Sequence, residues 1–71
     1  MHISYDPEVD ALYIRLIDGP HQCQTVCVTN DVILNIGEGE TLVGIEVLDA
    51  KRTLGHTALA SILENIPAIS S

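Results

Sequence analysis

The stretch YDPEVDALYIRLI, residues 5–17, opens on an Asp-Pro pair and then begins to alternate. Leu12, Ile14 and Leu16 fall on one side of a two-residue period, with Tyr13, Arg15 and Ile17 on the other, which is the pattern of a β-strand. Pro7 has no N–H to give to a ladder, so the strand must begin beyond it, and we expect it over residues 10–17. Upstream, HISY reads as a short first strand over residues 2–5 with Ile3 facing the core, and Asp6-Pro7 joins the two into a hairpin. Asp6, Glu8 and Asp10 also alternate. A hard cation wants about six to eight converging oxygens, and this trio lacks the central Gly and terminal Glu of a calcium loop, so solvation of the turn accounts for it better.

Asp18-Gly19-Pro20 breaks the second strand, and a third is expected over residues 23–29, where Gln24, Val26 and Val28 alternate with Cys23, Thr25 and Cys27. The two cysteines share a face of that strand but lie ~13 Å apart at ~3.3 Å per residue, too far to bridge each other. They read as small semi-apolar strand residues. A metal site would need His21 or His2 to converge on them, and a Cys-x3-Cys pair without a second cluster is a weak signal. Asn30-Asp31 suits a tight turn into VILNI, a fourth strand over residues 32–36. The following Gly-Glu-Gly-Glu is a turn, without the Lys or helix start of a phosphate cradle.

TLVGIEVLD supplies a fifth strand over residues 41–48, with Leu42, Gly44, Glu46 and Leu48 on one side and Val43, Ile45 and Val47 on the other. Neither side is cleanly polar, so this strand should be central. Gly44 marks a bulge or a close approach of another group. Glu46 is the one charge in the run, and its natural counter-charge is Arg15, giving a structural ion pair.

These blocks together, YDPEVDALYIRL at 5–16, VILNI preceded by Asp31, and LVGIEVLDA at 42–50, resemble the small prokaryotic domain-of-unknown-function family numbered 2283. The resemblance spans residues 2–52. It implies an antiparallel sheet with a helix and carries no catalytic residue. Some relatives lie beside a small candidate toxin, which implies an antitoxin-like role.

The C-terminal part is helical in pattern. Thr57 is suited to cap, and Leu59, Ile62, Leu63 and Ile66 form one apolar stripe before Pro67, so a helix is expected over residues 57–66. Such a short helix holds only by packing on something else. The whole is then one α+β domain over residues 1–71: an antiparallel β-meander of four to five strands with a C-terminal helix packed on it.

A chain of 71 residues with ten Asp and Glu against three Lys and Arg carries a formal net charge of -7, which leaves no basic patch for nucleic acid. There is neither a run long enough to span a membrane nor a signal-peptide pattern, so a cytoplasmic protein is expected. No serine lies in a nucleophile elbow and His2, His21 and His56 have no motif partner; neither enzymatic activity nor a cofactor is expected. Apolar residues on both sides of the sheet, against a helix that covers one, point to a symmetric homodimer formed through the sheet or by exchange of the C-terminal helix, with Leu59, Ile62, Leu63 and Ile66 as the candidate interface. The alternatives are an antitoxin-like partner of a small basic toxin, or a small metal protein or enzyme using turn carboxylates or Cys23 and Cys27.

Overall fold

In the computed structural model, which describes residues 1–64, the alternating segments become five strands: β1 (His2–Asp6), β2 (Ala11–Arg15), β3 (Gln24–Cys27), β4 (Val32–Ile36) and β5 (Leu42–Val47). A 3-10 turn at Glu38–Glu40 precedes β5, and two helices follow it, α1 (Ala50–Leu54) and α2 (His56–Glu64). All strand pairings are antiparallel, so the α+β class is as expected. The sheet order is β1-β2-β5-β4-β3. This corrects the meander: the link from β2 to β3 carries the chain past β5 and β4 to the far edge. The reason lies in composition. β5, the most apolar strand, takes the central place its sequence requires, while β3, with Gln24 and Thr25, is left at the rim.

Side chains set the turns. Asp6 Oδ1 accepts the Glu8 N–H at 3.0 Å, closing the Asp-Pro turn. Thr29 Oγ1 accepts the N–H groups of Asp31 and Val32 at 3.1 and 3.0 Å, so β3 ends at Cys27 rather than residue 29 and the expected two-residue hairpin is a longer one. β2 and β5 are likewise shorter than expected at both ends, β1 runs one residue longer, and β4 has the expected bounds.

Instead of one helix over residues 57–66 capped by Thr57, two short helices meet at Gly55, whose φ of 87° departs from the helical path. α1 is too short for a periodic stripe and so leaves no pattern to read. The Leu59 N–H donates to the Gly55 carbonyl at 3.1 Å, which places Thr57 inside the first turn of α2 rather than at its cap. Ile66 and the expected end of the helix lie outside the described residues.

Leu12, Val47, Ala50 and Leu59 form the buried centre, with Ile3, Tyr5, Ile14, Ile45, Leu54, Ile62 and Leu63 around it. Leu12 lies opposite Val47 and Ile14 opposite Ile45. Directly opposed residues share a face, so the two apolar sets expected on opposite sides of the sheet lie on the same side, beneath the helices. The reverse face carries Ser4, Tyr13, Arg15, Glu46, Asn35 and Thr25, with Ile33 and Cys27 among them. Alternation within a strand does not specify its phase relative to its neighbour; the pairing register does. The inference of a dimer from two apolar faces therefore loses its premise.

Candidate protein-interaction surface

Asp10 sits at the end of the β1–β2 turn with φ 54°, the left-handed region that Asp tolerates better than most residues. Its carbonyl accepts the Ala50 N–H at 2.9 Å, its Oδ2 accepts the Lys51 N–H at 3.1 Å, and its Oδ1 accepts the Tyr5 hydroxyl at 2.5 Å. Asp10 thus caps α1 across a sequence separation of 41 residues, while Asp49, at the local cap position, makes no such bond. Asp6 closes its own turn, whereas Asp10 reaches beyond the turn to Tyr5 and the start of α1. YDPEVD and LDA come together here as an acid and the helix start it caps.

The Tyr5 hydroxyl holds the Asp10 carboxyl below the usual carboxylate value, with the Lys51 N–H and the Lys51 and His56 charges acting in the same sense and desolvation opposing. The same bond, with some desolvation and the nearby carboxylates, pushes the Tyr5 phenol up. A depressed folded value means that ionised Asp10 stabilises the fold above the unfolded value of ~3.9, and that this contribution is lost as pH falls through the lower folded value. Thermal melts of wild type and Asp10→Asn between pH 6 and pH 2 should therefore converge at the acid end, since Asn cannot accept both bonds. Curves that stay parallel would show that Asp10 is not the group responsible.

Arg52 bridges Asp31 and Asp49, at 2.6 Å to the latter, and fastens α1 to the β3–β4 turn. Its exposure makes it a positioning contact with small stabilising effect. Arg15 and Glu46 do not form the expected ion pair. Tyr13 lies opposite Glu46 and Arg15 opposite Gly44, so Arg15 and Glu46 are diagonal neighbours on the reverse face. The Tyr13 ring leans along the other diagonal onto Gly44, where its Cζ is 2.9 Å from the place a Cβ would occupy. The two diagonals cross, and the ring holds the space. The Arg15 guanidinium donates instead to the carbonyls of Ile17, at 3.0 Å, and Gly19, while Glu46 accepts from Asn35 Nδ2 at 3.4 Å. Glu46 is half-buried.

The cysteine and histidine candidates stay apart. His21 Nε2 donates to the Asp18 carbonyl at 2.9 Å and Cys23 Sγ to the His21 carbonyl at 3.6 Å, both local loop contacts. Cys23 and Cys27 are exposed free thiols. Among the described residues no group of three or more His, Cys, Asp and Glu is placed to hold a metal. A cleft of about 330 Å³ lies where the β2–β3 link passes the bulged end of β5, lined by Ile17, Pro20, His21, Gly37, Thr41 and Val43 among others.

Of the expected interface stripe, Leu59 is buried in the core, and Ile62 and Leu63 pack against it. The apolar surface that remains open is elsewhere on the same face. Val26, beside Leu34, is 41% exposed, Val28 58% and Leu16 36%, while Leu34 and Ile36 are half-buried. Both helices lie toward the β1-β2-β5 half, and every residue of β3 is exposed. Pairing on the sheet could have located this strip from sequence only if the strand order had been known.

A five-stranded antiparallel sheet with β1 and β3 at its edges, and two short helices packed on one half of one face, defines a small α+β fold. The chain belongs to the family described as protein of unknown function DUF2283, whose sequence profile matches residues 2–51. The match takes in all five strands and the start of α1, with the Tyr5, Asp10 and Ala50 contacts inside it. Comparison with curated proteins and with solved structures gave no match.

Proposed function

We propose that this protein is a non-catalytic protein-interaction module that acts in the cytoplasm as a homodimer. The observation that carries the reading is the open β3–β4 half of the helix-bearing face, where Val26 and Val28 are exposed beside half-buried Leu34 and Ile36. Its carboxylates support the non-catalytic part: Asp10 has both oxygens engaged by Tyr5 and Lys51, and Asp31 and Asp49 share Arg52. A domain this small also has limited core of its own, and association adds stability by mass action.

The test is light scattering across a dilution series at low and high salt. We expect twice the 7.7 kDa of one chain, and a dimer that tightens as salt rises, because screening relieves the repulsion between two chains of net charge -7. One-chain mass at every concentration would overturn the dimer. That same charge favours a second reading, an antitoxin-like partner of a small basic protein. It carries the opposite sign: such a complex loosens as salt rises.

A further inference from the structure

The sheet has two edges, β1 and β3; β1 ends in Asp6 with Glu8 and Asp10 close behind it, whereas β3, beside β4, carries no charge and its outward groups can be assigned. The Val28 N–H donates to the Val32 carbonyl at 2.8 Å, so in an antiparallel ladder Val26 and Gln24 also address β4. Thr25 and Cys27 then present their N–H and C=O groups outward. Native sheets blunt such edges with Lys, Pro or a bulge. QCQTVCV, residues 22–28, contains neither Lys nor Pro, and the register shift in this half of the sheet lies between β4 and β5.

Charge selects what can lie against this edge. No Asp, Glu, Lys or Arg occurs between Asp18 and Asp31, in a chain of net charge -7. Two copies meeting through the acidic turns would set carboxylate against carboxylate; meeting here they do not. The other long uncharged run, residues 53–63, has its apolar stripe on the core. An exposed strand edge is also completed by another extended strand.

We infer that two copies join β3 to β3, antiparallel about a two-fold axis, into one ten-stranded sheet. This rests on the homodimer reading above and names its surface. Because the outward amides belong to odd-numbered residues, odd must face odd. Of the registers this leaves, one sets Cys27 opposite the partner's Cys27 and Val26 opposite the partner's Val28 in both directions. That register pairs all the exposed valines of β3 and its turn with each other; shifting it by one step sets Val28 against Gln24, and by two sets Val26 against Gln24. It also brings the two Val26 and Leu34 strips into one apolar band.

Two experiments test it. Thr25→Pro removes an outward N–H without removing a bond to β4, and Pro is tolerated at such edge positions; light scattering should fall to one-chain mass. Separately, diamide is added to Cys23→Ser and Cys27→Ser. Two thiols release two protons and two electrons as the S–S bond forms, and the diamide N=N bond takes them up to give the hydrazine. A hydrogen-bonded antiparallel pair has its Cα atoms about 5.5 Å apart, within disulfide range. A linked dimer on a non-reducing gel is expected for Cys23→Ser and not for Cys27→Ser. Wild type at one-chain mass overturns both the homodimer reading and this edge. A wild-type dimer that survives Thr25→Pro keeps the reading and overturns the edge, and linkage in Cys27→Ser, or in neither variant, overturns the register. If Thr25→Pro fails to fold, the cysteine pair still decides, since both thiols are exposed.

Discussion

Leu12→Ala is expected to leave most of the protein unfolded at 25 °C. Leu12 is 1% exposed, lies between Tyr5 on β1 and Val47 on β5, and belongs to the cluster with Ala50 and Leu59 that joins the helices to the sheet. Removing a buried leucine side chain costs about 2–5 kcal/mol, transfer and cavity together. A domain of this size has a core worth about 3–5 kcal/mol in net stability, so the loss is comparable to the whole. Urea unfolding followed by circular dichroism at fixed protein concentration measures it, with Leu16→Ala as the comparison. Leu16 is 36% exposed, just past the end of the same strand and on the same side of its alternation. A midpoint for Leu12→Ala displaced no further than that of Leu16→Ala would mean that the core is not organised around β2.

The contrast between those two leucines also marks what could be read in the sequence. Their alternation with Tyr13 and Arg15 identified β2 as a strand, and the apolar density of residues 42–48 identified β5 as central. Those are local properties, and local chemistry specifies them. The strand order was not legible, because the link from β2 to β3 is compatible with placing β3 beside β2 or at the far edge. With the order went the faces: only the pairing of Leu12 with Val47 shows that the two apolar sets share one side. The surface was hidden for the same reason, since Val26 and Val28 look like core residues until β3 is found at an edge. Asp10 was misread for a different cause. Its turn was visible, but its main role is to cap a helix that follows β5, and α1 is too short to announce itself by periodicity. The Arg15 and Glu46 pairing failed by one step: both residues were on one face, as charge pairing needs, but on a diagonal already crossed by Tyr13.

That crossing yields the second large effect. Gly44→Val should destabilise the fold by about 1–3 kcal/mol, the range for overpacking a filled site. Backbone conformation is not the obstacle. The glycines with positive φ among the described residues are Gly19, Gly39 and Gly55, so Gly44 follows an ordinary strand path that a β-branched residue would favour. The obstacle is Tyr13, whose Cζ and Cε1 lie 2.9 and 3.1 Å from a Cβ built at Gly44; the ring, not only its hydroxyl, must leave. If sterics alone demand glycine, removing the ring removes the demand. Tyr13→Ala with Gly44→Val should then be more stable than the sum of the single changes predicts, with a coupling of about 0.5–3 kcal/mol in a double-mutant cycle. Clearing the ring also opens the other diagonal, so Tyr13→Ala alone should let Arg15 approach Glu46 and give that variant a stability that falls as salt rises, more steeply than wild type. Strictly additive effects in the cycle would mean that something other than Tyr13 holds position 44 to glycine, and the account of why Arg15 and Glu46 stay apart would fall with it.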